Sequence, residues 1–137
     1  MPKTYACIWL HAVWSTKERQ PVLHRSFRYR LFRHIKEYGQ AKDIHGDIIN
    51  GVKDHVHFLF RLRPAQSPSE VIKKIKGESS HWINENGFMD YQFAWQKGYG
   101  IFSVGEKDIK NVRVYIYNQE NYHKYVSYRE EINKLKL

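Results

Sequence analysis

The chain has 137 residues, 42% hydrophobic and 27% charged, which suits one soluble domain with a sizeable core and leaves too little chain for two. Its apolar runs fall far short of a bilayer span, and its single cysteine, Cys7, excludes an internal disulfide and a cysteine-built zinc site. The formal charge of +9 points to a polyanionic partner, nucleic acid first, because Lys and Arg neutralise phosphates.

A single domain over residues 1–137 is expected, with no internal repeat or linker. The N-terminus "MPKTYACIWL" lacks a signal peptide's basic start and long apolar stretch, so a cytoplasmic location, on the nucleoid when DNA is bound, is expected.

In chain order, "TYACIWLHAVWS" is rich in β-formers and predicts a first strand, ended by the turn "STKERQP". Leu23, Phe27, Leu31, Ile35 and Tyr38 recur at helical spacing, with Gly39 as the stop. Arg25, Arg28, Arg33 and Lys36 lie mostly off that stripe, on a solvated or a DNA-contacting face. "KDIHGDIINGV" predicts a second strand, and "NGVKD" a hairpin turn into a third.

The third strand, "DHVHFLFRL", is the informative one. Side chains two apart on a strand share a face, so Val56, Phe58, Phe60 and Leu62 complete an apolar face without help. His55, His57, Leu59 and Arg61 take the other face. Core packing therefore explains one parity and leaves the imidazoles unexplained.

"SPSE" then reads as a helix start, with Ser67 as N-cap, Pro68 at the first helical position and Glu70 three residues after the cap. Val71, Ile75 and Trp82 form the buried stripe, "NENG" closes the helix, and Lys73, Lys74 and Lys76 ride its outer faces. "YQFAWQKGYGIFSV" supplies a last strand region, broken by glycines. From about Glu106 one long helical segment is expected, with a fraying end at "YREEINKLKL". The order β-α-β-β-α-β-α predicts an α+β fold: a ferredoxin-like antiparallel sheet with helices on one side and a C-terminal helix.

On that last helix, Ile109, Val112 and Ile116 make a narrow apolar stripe, and Tyr115 and Gln119, four apart, share one edge of it. Tyr117 points about 200° away from Tyr115. Tyr122 stays near the Tyr115 side. Asp54 falls on the opposite parity to the histidines, as a turn residue or a support for them. His11, in the first strand, can reach the same sheet surface.

These blocks resemble a known family. "HVH" on a strand is similar to the HUH motif (His-hydrophobic-His) of single-strand DNA nucleases. "WQKGYGIFSVG" followed by "VYIYNQENYHK" resembles the single-tyrosine transposases of small bacterial insertion sequences, as do "HAVWSTKERQPVL" and "IKKIKGESSHWIN". A departure is Tyr122-His123, where members often carry two histidines. The resemblance implies that His55, His57 and Gln119 are metal ligands for Mg²⁺ or Mn²⁺ and that Tyr115 is the nucleophile. It implies cleavage and rejoining of single-stranded DNA beside hairpins at the element's ends, through a 5′-phosphotyrosine with a free 3′-hydroxyl. It also implies a homodimer whose tyrosine helix completes the partner's histidine site. Lys73, Lys74, Lys76 and Arg28 are candidate DNA contacts. No membrane and no nucleotide cofactor are expected, in keeping with the lack of a "GxxxxGK[ST]" pattern.

The chemistry is consistent with that reading. Neutral imidazoles and an amide oxygen add no negative charge, so a bound cation keeps its attraction for phosphate. Nitrogen ligands favour Mn²⁺ over Mg²⁺. The alternatives are a host-adopted nuclease acting on chromosomal repeat hairpins, and a non-catalytic module that holds single strands on exposed sheet aromatics.

Overall fold

The computed structural model describes residues 3–136. Four strands, β1 (Ile8–Ser15), β2 (His45–Gly51), β3 (His55–Leu62) and β4 (Gly100–Val104), form one sheet in the order β2-β3-β1-β4. Every pairing is antiparallel. Two long helices, α1 (Arg25–Ala41) and α2 (Pro68–Glu85), join β1 to β2 and β3 to β4. This is the expected ferredoxin-like α+β arrangement, with both edge strands reached through a helix.

The parity argument decides the two sheet faces. Val56, Phe58, Phe60, Ala12 and Trp14 join Leu23, Phe27, Leu31 and Ile35 of the α1 region and Val71, Ile72 and Ile75 of α2 in one buried cluster. Phe58 and Phe60 stack there with ring centroids 5.2 Å apart. Burying an aromatic of this size contributes roughly 1.5–3 kcal/mol, so this face sets the strand register. The capping pattern at α2 is realised: the Ser67 side chain accepts from the Glu70 backbone N–H. Gly87, at φ 63°, takes the left-handed turn that ends the helix region.

Two expectations are corrected. The first helix runs through Gly39 to Ala41, because Gly39 is buried against Ile44 and serves close packing there. The C-terminal region is three helices: α3 (Ile109–Tyr117), α4 (Gln119–Tyr122) and α5 (Tyr128–Leu135). Asn118, at φ −92° and ψ 21°, breaks the first from the second. Residues 128–135 of the last stretch are helical. Ser127 and Glu130 form a reciprocal capping box that starts α5, and α5 folds back over the histidine face. No helix among the described residues is long and apolar enough to cross a membrane.

Candidate active site

The histidine parity of β3 faces away from α1 and α2. Strand pairing sets His57 opposite Val13 of β1 and Asn50 of β2, and His55 opposite Ser15. The hairpin into His55 is tight: Val52 N–H donates to the His55 carbonyl at 3.1 Å. Gly51 is required there, since a Cβ at that position would lie 2.2 Å from the His55 carbonyl oxygen.

Helix α3 is fixed across this face by β2. Asn50 Nδ2 donates to the carbonyls of Ile116 and Tyr117, both at 3.0 Å, and so takes up carbonyls left open at the helix end. Arg113 makes a two-pronged contact with Asp47 at 2.7 and 3.1 Å. Ile116 is buried against the sheet. Tyr115 therefore stands over His57, with ring centroids 5.6 Å apart.

Helix α4 is fixed separately. Glu120 accepts from Arg25 at 2.8 Å and from Arg28 at 2.7 Å, and from the Tyr29 hydroxyl. Its neighbour Gln119 is buried in the site.

Four side chains converge beneath these helices: His55, His57, His123 and Glu131, whose ligand atoms all lie within 4.8 Å of one another. Glu131 Oε1 is 3.1 Å from Nε2 of each of the three histidines. The other carboxylate oxygen accepts from the Tyr115 hydroxyl and, at 3.0 Å, from Gln119 Nε2. The Gln119 amide oxygen lies 3.1 Å from His123 Nε2.

The outer nitrogens determine which tautomers the site favours. His55 Nδ1 is 2.7 Å from Asp54 Oδ1, and His123 Nδ1 is 2.7 Å from the Val126 carbonyl. Partners that only accept place a proton on Nδ1 of these two rings, and Nε2 of each faces the Glu131 carboxylate; a cation that took the place of that contact would be offered the Nε2 lone pair of a neutral ring. His57 Nδ1 meets His11 Nε2 at 2.8 Å, so with its Nε2 donating to Glu131 the neutral His57 accepts from His11. Burial, reinforced by the adjacent His57, takes the His11 pKa down to about 3, and a neutral His11 with its proton on Nε2 supplies that bond. Burial likewise lowers His57 to about 4, against the pull of Glu131.

Burial works against charge on His55 too, but hydrogen bonds with Asp54 and Glu131 outweigh it and raise its pKa. For Glu131, burial alone would raise the pKa; hydrogen bonds from His123, His55 and His57 prevail and hold it well below the carboxylate range. Burial, the bond to Glu131 and the charge of that carboxylate push the Tyr115 phenol above its ordinary value. Three convergent imidazoles with set tautomers, a carboxylate and an amide oxygen suit a divalent transition ion better than Mg²⁺.

The residues singled out from sequence thus fall into two groups. His55, His57, Tyr115 and Gln119 meet in one place, with Asp54 and His11 behind the histidines. Tyr122 lies at the margin, its ring 5.2 Å from that of Tyr115, and Tyr117 points to solvent. The basic candidates lie elsewhere. Arg28 is buried, donating to the Leu23 carbonyl and to Glu120. Lys76 donates to the carbonyls of Gln96 and Gly98 at 2.8 and 2.9 Å. Lys73 and Lys74 are exposed on α2, across the sheet from the histidines.

Sequence reasoning missed two members. His123 stands four residues after Gln119, the spacing of one helix face, and that spacing was the available signal. Glu131 carried none beyond the S-x-x-E pattern "SYRE" that starts its helix.

The site thus brings a His-hydrophobic-His pair on a ferredoxin-like sheet up to a helix-borne tyrosine and glutamine. The chain belongs to the IS200-like transposase family: the family model described as "Transposase IS200 like" matches residues 4–119. No curated protein matches it. A crystal structure of a protein from Deinococcus radiodurans R1 assigned as a transposase is similar, with a TM-score of 0.69 at 21% identity, over 87% of this chain and 98% of that one. A REP-associated tyrosine transposase bound to a REP hairpin is similar with a TM-score of 0.63 at 19% identity, over 92% of this chain and 76% of that one. The family match ends at Gln119, so His123 and Glu131 lie beyond it.

Proposed function

We propose that this protein cleaves and rejoins single-stranded DNA beside hairpins, with Tyr115 as nucleophile and His55, His57 and Gln119 as ligands of a divalent cation, Mn²⁺ or Mg²⁺. His123 joins that ligand set. The observation that carries this reading is the convergence of three imidazole Nε2 atoms on a point beside the Tyr115 hydroxyl and the Gln119 amide. When bound, the cation supplies Lewis-acid stabilisation of the charge on the phosphate.

The chain's own residues do the rest. The Tyr115 oxygen attacks phosphorus and the bond from phosphorus to the 3′ oxygen breaks. The phenolic proton leaves, and the departing 3′ oxygen takes up a proton to become the free 3′-hydroxyl. The 5′-phosphotyrosine keeps the strand end attached and conserves a phosphoester that another 3′-hydroxyl attacks, releasing the phenol. The exchange needs no nucleotide. Asn50 and the Arg113–Asp47 pair hold Tyr115 over His57, while Glu120 holds Gln119.

The resemblance implies a homodimer with exchanged tyrosine helices. The anchoring of α3 on β2 and of α4 on α1 within one chain supports an uncrossed site instead. Exposed Lys73 and Lys74 remain candidates for contact with a hairpin backbone; the internal bonds of Arg28 argue against that role for it. The hairpin held by the REP-associated relative favours a second reading of the same chemistry, host-adopted cutting of repeat hairpins. A non-cutting aromatic platform is disfavoured, since Phe58 and Phe60 are buried.

The test is cleavage of a hairpin-flanked single strand with and without Mn²⁺. Cutting by the wild type that needs Mn²⁺ and is lost in His55→Ala and His57→Ala supports the reading. Metal-independent binding without cutting, unaltered in both variants, overturns it.

A further inference from the structure

We propose that His11 is a positioning residue for the cation ligands: it reverses its hydrogen bond with His57, donating while His57 faces Glu131 and accepting when His57 binds a cation. This rests on the cutting reading above and concerns which group of this chain prepares His57 as a ligand.

Three rings point Nε2 inward, and their outer partners differ in kind. Asp54 stands behind His55 and the Val126 carbonyl behind His123, each at 2.7 Å. Both partners only accept, so both rings keep a proton on Nδ1 whatever Nε2 meets. His57 alone is backed by a group that works in either direction, the imidazole of His11 at 2.8 Å. A carboxylate there would fix His57 in the tautomer a cation needs, and an ammonium would bar it from that tautomer. Histidine permits both.

Strand register brings His11 within reach. Val13 pairs with His57 and His11 with Leu59, so His11, two residues before Val13 on the same face, is the diagonal neighbour of His57. Its ring is buried, with the Phe102 and Tyr115 centroids 6.2 and 6.0 Å away. Its other nitrogen, Nδ1, has no partner among the described residues and is not sealed from solvent. His11 lines a groove there with Tyr115 and Tyr122.

The protons balance. With His57 donating from Nε2 to Glu131 at 3.1 Å, His11 donates from its own Nε2 to His57 Nδ1. When His57 Nε2 gives its lone pair to a cation, the proton on that nitrogen passes to solvent water. The His11 Nε2 proton crosses to His57 Nδ1, and His11 Nδ1 takes a proton from water in the groove. Each ring carries one proton before and after, and the bond between them survives with its direction reversed.

The experiment uses the full-length protein and two substitutions. His11→Phe keeps a packed ring and removes the bond; His11→Gln supplies an amide that both donates and accepts. In calorimetry with Mn²⁺, His11→Phe binds about 10–100-fold more weakly, and His11→Gln recovers most of the loss. Unchanged affinity in His11→Phe, or a Gln variant as weak as it, overturns the proposal. Nitrogen NMR of the wild-type histidine rings, with diamagnetic Zn²⁺ as the probe, reads what packing alone would not move. The His57 proton lies on Nε2 before Zn²⁺ is added and on Nδ1 afterwards; one tautomer throughout overturns the proposal, and this decides should His11→Phe fail to fold. The two readings fail separately. Cutting by a wild type whose His57 keeps one tautomer sinks the role of His11 alone, and a reversal without any DNA adduct sinks the cutting chemistry alone.

Discussion

Arg28 of α1 and Glu120 of α4 are 2.7 Å apart across 92 residues of sequence, with the guanidinium buried and its Nε without a partner. Charge was brought indoors here to fix one helix against another. Glu120 directly follows Gln119, so the pair holds the far side of the site.

Replacing Glu120 with Ala leaves a buried guanidinium without its carboxylate. Because Glu120 is partly exposed, the expected loss is moderate, about 1–2 kcal/mol. Urea denaturation measures it. Adduct formation should fall as well, since α4 loses its anchor, and an arginine at 120 paired with Arg28→Glu should recover part of it.

The same carboxylate gives a sign for acid. Hydrogen bonds from Tyr29 and Arg28 hold the Glu120 pKa below its ordinary value, against burial. Its stabilisation is complete above the unfolded value of about 4.3 and is lost as pH falls through the folded value. The stability gap between wild type and Glu120→Gln should therefore narrow on acidification; a gap independent of pH would refute this.

At Gly51, an added Cβ meets the His55 carbonyl oxygen at 2.2 Å. Gly51→Ala must shift the hairpin, with an expected cost of about 1–3 kcal/mol. Mn²⁺ affinity by calorimetry should drop with it, because His55 starts the displaced strand.

The two faces of β3 should separate under mutation. Phe58→Ala opens a core cavity and is expected to cost about 3–5 kcal/mol. His57→Ala should abolish Mn²⁺ binding while circular dichroism stays native.

If the site is completed within one chain, mixing His55→Ala with Tyr115→Phe restores no cutting. Recovered activity in the mixture would establish exchanged helices.

Much of this was legible from local sequence. Strand parity separated the histidines from the core, the Ser67 cap located α2, and four-residue spacing paired Tyr115 with Gln119. The failures were long-range. Arg28 resembled a surface cation because its counter-ion is 92 residues away. The charged tail around Glu131 resembled a solvated, fraying end because the groups that make it a buried ligand, His55 and His57, lie on a strand more than 70 residues earlier. Nothing local marks a carboxylate destined for three imidazoles.

The central claim is that a phenol on α3 becomes esterified beside the imidazoles of β3. Peptide mapping by mass spectrometry, after incubation with Mn²⁺ and a hairpin-flanked single strand, addresses it directly. A 5′-phosphate linked to Tyr115, absent in Tyr115→Phe, is the predicted result. An adduct on Tyr122, or one that survives in Tyr115→Phe, would contradict it.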